Sequence, residues 1–164
     1  MLDPEPTVAD EEFERLLGRI EPDLNRAFAT RFGVTVGAEV MADVTAWAWE
    51  HRRDLAGMDN PAGYLFRVGQ SAARRYVRWS AQSDLPQAEV DLAATQQTDV
   101  DPGLDAALAR LGDDQRVAVV MVHGYGLSYS EAADLVGVPV TTLRNRLRRG
   151  LHKLRKHLEV YGDI

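Results

Sequence analysis

The chain has 164 residues, enough for one or two small domains, and 45% of them are hydrophobic, enough to bury a core. It contains no cysteine, which excludes disulfides, thiolate metal sites and a cysteine nucleophile. A formal charge of −6 argues at first against a nucleic-acid partner, so the distribution of that charge matters more than its sum.

The first residues are acidic and polar, with neither the basic opening nor the apolar core of a signal peptide. No run approaches the roughly 18 apolar residues of a membrane span, and the expectation is a cytoplasmic protein with no membrane insertion. Phe13, Leu16, Leu17 and Ile20, then Leu24, Ala27 and Phe28, recur at helical spacing. Pro22 interrupts them and either starts a second helix or kinks a longer one. Gly33 and Gly37 mark a break, and a further helix is expected over 37–54, with Val36, Val40, Val44 and Trp47 along one face. Trp47 and Trp49 lie two apart, so both cannot centre one face; one suits the core and the other an interface.

Asn60 is placed to cap the next helix, with Pro61 at its first position, and that helix is expected to reach about Trp79. Its buried side is read as Leu65, Val68, Ala72 and Tyr76, with Arg67, Arg74 and Arg78 on another side and Arg75 nearby. Aromatics beside arginines (Tyr64, Tyr76, Trp79) suit single-stranded nucleic acid, where rings stack on bases and guanidinium groups hold phosphates. A packed aromatic helix explains the same residues.

Residues 81–105 carry six acids and no base, with two prolines and weak periodicity, and read as an acidic linker. The segment either keeps the chain soluble or folds over a basic surface downstream. Helices are then expected over 102–111, 113–124, 128–136 and 139–158, with the apolar run Val117–Val122 buried. Few segments combine β-branched residues, strict alternation and turns in the way a sheet requires. The fold expected is all-α, with two small helical domains at 1–80 and 106–164.

The second domain carries nine bases against six acids, and seven of the nine fall between Arg144 and Lys156. Such a local stripe governs docking on phosphate more directly than the whole-chain charge. Ser128 and Glu131 stand at the spacing of a capping box, Ala132 and Leu135 can face inward, and Gly137 supplies a tight turn. Pro139 then forces a restart, which together predicts a helix-turn-helix at 127–157. On the second helix Val140, Leu143, Leu147, Leu151 and Leu154 form an apolar line that stops too soon for a coiled coil. Thr141, Thr142, Asn145 and Arg149 lie opposite that line and are the candidates for base edges. Arginine addresses guanine, asparagine adenine, and threonine a hydrogen bond or a thymine methyl. Arg144, Arg146 and Arg148, at the edges, suit phosphates. A solvated amphipathic helix with a basic face is the plainer alternative. The histidines are scattered, and neither a phosphate loop nor a nucleophile elbow occurs. No catalytic residue, metal site or cofactor is predicted.

The stretches Leu127–Ala133, Leu135–Val138 and Arg146–Arg155, paired with Asn60–Val68 through Arg78, resemble bacterial RNA polymerase sigma factors of the extracytoplasmic-function group of the sigma-70 family. The resemblance implies that the second domain reads the −35 element, with Lys153 added to its phosphate contacts. It implies that the first domain grips polymerase and helps open the −10 element. Asp43, Trp47 and Arg53 would then contact polymerase, while Asn60, Tyr64, Arg74, Arg75 and Arg78 would contact −10 DNA. The partners implied are core RNA polymerase, promoter DNA and an anti-sigma factor. The motif near Glu39–Thr45 departs from the family pattern, and Pro139 replaces a usual serine or threonine cap. Two rival readings are a helix-turn-helix regulator with an N-terminal dimerisation domain, and a sigma-like protein that mainly binds a partner.

Overall fold

The computed structural model describes residues 7–82 and 102–162, and all regular structure among them is helical. Helix α1 spans Val8–Phe32, α2 Val34–Glu50, α3 Arg52–Ala56 and α4 Pro61–Gln82. After the undescribed stretch come α5 (Pro102–Ala109), α6 (Asp113–Val119), a π-helical turn (Val120–Gly124), α7 (Tyr129–Val136) and α8 (Val140–Gly162).

Helix α1 runs unbroken through Pro22. The apolar positions explain why: Phe13, Leu17, Leu24, Ala27 and Phe28 are all buried and stay in phase across the proline. Pro22 and Gly18, the residue whose carbonyl loses its partner, both lie on the exposed face, where water can satisfy that carbonyl. A capping box starts the helix. Asp10 N donates to the Thr7 hydroxyl, and the Asp10 carboxylate accepts from Thr7 N at 3.2 Å and Thr7 Oγ1 at 2.8 Å. Those bonds to Thr7, and then Arg52 Nε at 2.6 Å, lower the Asp10 pKa from 3.8 to about 2.

The chain breaks at Gly33 but not at Gly37, which lies inside α2. Helix α2 also stops earlier than expected, at Glu50, and α3 follows as a separate short element. Trp49 packs edge-on against Phe13, while Trp47 stacks on His51 with ring centroids 3.9 Å apart. One tryptophan therefore serves the core of the first half and the other its rim.

Helix α4 buries a wider arc than the one periodicity suggested, centred beyond it. Leu65, Phe66 and Ala73 are the buried apolar side chains, beside the buried Gly63 and Gly69, and Val68, Ala72 and Tyr76 are only partly covered. The shift comes from packing on three partners, α1, α2 and α7. Phe66 stacks on Phe28 at 5.5 Å and also faces Val117, Val136 and Leu143 from the second half. The two helical sets therefore share one continuous hydrophobic cluster. Residues 83–101 of the expected linker lie outside the described residues, and α5 already begins at Pro102.

Candidate nucleic-acid interface

The helix-turn-helix is built largely from local chemistry. Ser128 Oγ accepts from Glu131 N at 3.1 Å, and the Glu131 carboxylate accepts from Ser128 N at 2.8 Å. Two otherwise unsatisfied amide groups are thereby paired, and the bonds from Ser128 hold the Glu131 carboxyl below its ordinary value. At the other end of α7, Gly137 has φ 67° and ψ 38°, the left-handed region. Val138 N donates to Ala133 O at 3.0 Å, closing the turn. Pro139 precedes α8, and its carbonyl accepts from Leu143 N at 3.1 Å.

Helix α8 lays Leu143 and Leu147 into the core, with Val140, Leu151 and Leu154 packed against its edge. Thr141, Asn145 and Arg149 are exposed on the far side, and Thr142 is half-buried. The base-facing candidates thus share one outward surface. Of the edge residues, Arg144, Arg148 and Lys153 are exposed, and Arg144 also lies over the Tyr129 ring at 5.4 Å. Arg146 differs: it is half-buried and pairs with Asp114 at 3.5 Å, so it serves the domain's own packing. A basic concavity of about 530 Å³ between α6 and α8 is lined by Gln115, Arg148, Arg149, His152 and Lys153.

The N-terminal candidates do not form one surface. Asn60 caps α4 as expected, accepting from Gly63 N at 3.1 Å, but its Nδ2 donates to Asp134 O in α7 at 2.8 Å. Arg75 pairs with Asp43 at 3.3 Å, and Tyr76 OH donates to the same carboxylate at 2.8 Å. That bond, with some burial, raises the Tyr76 phenol above its usual pKa. Asp43 and Arg75 therefore join α2 to α4. Tyr64 is 39% exposed beside Trp47, with centroids 5.6 Å apart. Arg74 and Arg78 are exposed and line a cleft with Arg31, Phe32 and Gln70. Arg53 is exposed on α3. The Trp79 side chain lies outside the described residues.

Arg116 was not anticipated. It is 4% exposed, and its guanidinium donates to Leu111 O at 3.2 Å and Asp113 at 2.9 Å. It also donates to Thr30 O at 2.9 Å and Arg31 O at 3.2 Å, two carbonyls at the end of α1. The acidic pair Asp113-Asp114 does open a helix as read from sequence, but nothing local signals the partner 86 residues away.

Among the described residues no group of three His, Asp or Glu side chains can hold a metal ion, and no helix is long and apolar enough to cross a membrane. The described residues form a helical protein with a helix-turn-helix and an exposed basic face on α8. Residues 103–154 match the family model described as Sigma-70, region 4. Over that stretch the chain is similar to the sigma-70 family's region 4.

The chain is 42% identical over 57 residues to the ECF RNA polymerase sigma factor EcfG of Rhodopseudomonas palustris (strain TIE-1), covering 35% of this chain and 32% of that protein. It is 44% identical over 60 residues to the ECF RNA polymerase sigma factor SigE of Mycolicibacterium smegmatis, covering 37% of this chain and 23% of that one. These alignments thus span about a third or less of each curated relative.

The fold likeness is wider. A chain of the co-crystal structure of the sigma factor RpoE with the anti-sigma factor NepR from Bartonella quintana matches 92% of this chain and 98% of its own length. Its TM-score is 0.63 at 23% identity. A chain of the structure of CnrH with the cytosolic domain of CnrY matches 92% of this chain and 89% of its own length, with a TM-score of 0.57 at 24% identity.

Proposed function

We propose that the protein is a sigma factor of the extracytoplasmic-function group, which binds core RNA polymerase and directs promoter recognition, strand opening and initiation. The observation that carries this reading is the outward face of α8, where Thr141, Asn145 and Arg149 stand exposed within a sigma-70 region 4 domain. In the proposed division, residues 1–80 bind polymerase and the −10 element, 81–105 form an acidic linker, and 106–164 read the −35 element. Arg144, Arg148 and Lys153 hold phosphates there, whereas Arg146 contributes through its pairing with Asp114. Tyr64, Arg74 and Arg78 supply the exposed side chains of the −10 surface, and Trp47 and Arg53 face polymerase. RNA chemistry stays with polymerase, so the protein itself catalyses nothing, and its place of action is the cytoplasm.

An acidic chain binds DNA weakly by itself, because six of its acids lie in the segment between its two surfaces. Polymerase then supplies much of the affinity. An anti-sigma factor is the proposed regulator, since both structural matches come from complexes with a second protein.

The test is binding of purified core polymerase by the full chain, followed by selection of bound sequences from a duplex library. A stable complex that enriches paired −35 and −10 elements is expected. Enrichment of a palindrome by the chain alone would replace this reading with that of a dimeric helix-turn-helix regulator.

A further inference from the structure

The cations of α4 divide between two sides of the helix. Arg75 turns to Asp43 and lines a cleft shared with α2, together with Trp47 and Tyr64. Gln70, Arg74 and Arg78 recur at every fourth position and so share another side. With Ala73 they line a second cleft, of about 340 Å³, against Arg31 and Phe32 at the end of α1. Ala73 is buried and small, which leaves that space open. Among the described residues, three guanidinium groups border this cleft and no carboxylate does.

Arg31 is held in place there. Its Nη1 meets Asp114, and its guanidinium carbon lies 5.6 Å from the centre of the Phe32 ring. Asp114 is shared with Arg146 at 3.5 Å, so it offsets Arg31 only in part. The Arg31 Nε is buried and meets no acceptor among the described residues. Buried donors are nearly always paired, and an acceptor lodged in the cleft would pair this one. The end of a helix ordinarily repels an anion through its free carbonyls. Here Arg116 covers Thr30 O at 2.9 Å and Arg31 O at 3.2 Å, with its own charge balanced by Asp113. Arg74 and Arg78 stand exposed one turn apart, a like-charge pair that an anion between them would relieve.

We propose that this α1–α4 cleft is a phosphate site. Arg31 and Gln70 join Arg74 and Arg78 in it to hold the phosphate of a nucleic-acid strand or of a free nucleotide. A guanidinium fork matches phosphate oxygens, and one already fixed loses little freedom on binding. The Gln70 amide adds a neutral donor. The site shares no residue with the basic concavity on α8, and it does not rest on the sigma-factor reading.

The test follows the arginine Nε–H signals of the full chain by proton–nitrogen NMR as inorganic tripolyphosphate is added. Arg31→Lys, Arg74→Lys and Arg78→Lys each identify one signal by removing it. The three signals should move together with one midpoint, whatever the arginines of α8 do. Gln70→Glu should raise that midpoint about tenfold by setting an acid against the phosphate. Arg78→Gln, an equal change of charge at an exposed position, should do the same and stands in if the first variant fails to fold. Ser71→Glu makes that change beside the other cleft and should leave the midpoint within about twofold, since solvent screens it. Single-stranded oligothymidine and ATP then identify the source. A lower midpoint per phosphate with oligothymidine assigns the cleft to a strand, and with ATP to a nucleotide. An Arg31 signal that none of the three probes moves overturns the site. So does a rise with Ser71→Glu equal to that with Gln70→Glu or Arg78→Gln.

Discussion

Replacing Gly137 with alanine tests whether the turn that aims the reading helix depends on a left-handed backbone. At φ 67° an L-residue brings its Cβ toward the following carbonyl, at about 1–2 kcal/mol. The new methyl would also lie 3.1 Å from Arg67 Nε and 3.2 Å from Gly63 O. The guanidinium can move aside, but the carbonyl belongs to α4 and cannot move freely, so the total loss should be about 2 kcal/mol. Gly18→Ala is the matched comparison. Its Cβ meets nothing within 4 Å on the exposed face of α1, so it should gain up to about 1 kcal/mol from helix propensity. Gly137→Asn should cost less than alanine, because asparagine visits the left-handed region more readily. Urea unfolding followed by circular dichroism reads all three. Equal midpoints for Gly137→Ala and the parent chain, or a loss at Gly18, would refute the backbone argument.

Three further outcomes follow from the same geometry. Ser128→Ala removes one half of the α7 capping box and should cost about 1 kcal/mol in the same unfolding assay. Arg149→Ala and Asn145→Ala should change sequence preference in a duplex selection, by about 1–3 kcal/mol at one position for a bidentate contact, whereas Arg148→Ala should weaken all sequences alike. Equal losses on every sequence from all three variants would defeat the base-facing assignment. The Asp10 carboxyl is depressed from 3.8 to about 2 in the folded chain. Its stabilising contribution is therefore complete above the ordinary carboxylate value and fades as pH falls through about 2. A carbon-detected NMR titration with a midpoint near 3.8, or an Arg52→Ala variant with an unmoved midpoint, would contradict that account.

The helix-turn-helix was legible because each of its parts is local. A capping serine, a glutamate three residues on, a left-handed glycine and a proline restart all act within a dozen residues, and the apolar line of α8 then fixes which face looks outward. Pro22 left a second helix and a kinked longer one both open from sequence; the structure has one helix, in which Phe13, Leu17, Leu24 and Phe28 keep their phase across the proline. Phe66 and Arg116 were missed for a different reason. Both have partners far away in sequence, and a helix with several packing neighbours buries more than the single stripe periodicity reveals. Asp43 and Arg75 show the converse. Charged residues that read as outward contacts pair with each other across α2 and α4.

The most direct test of the central claim is transcription by sigma-free bacterial core polymerase, supplied with the full chain and a promoter library, with the 5′ ends of the transcripts mapped. The account predicts starts at fixed distances downstream of paired −10 and −35 elements, lost when Asn145 and Arg149 are both replaced by alanine. Starts no different from those of core polymerase alone would contradict it.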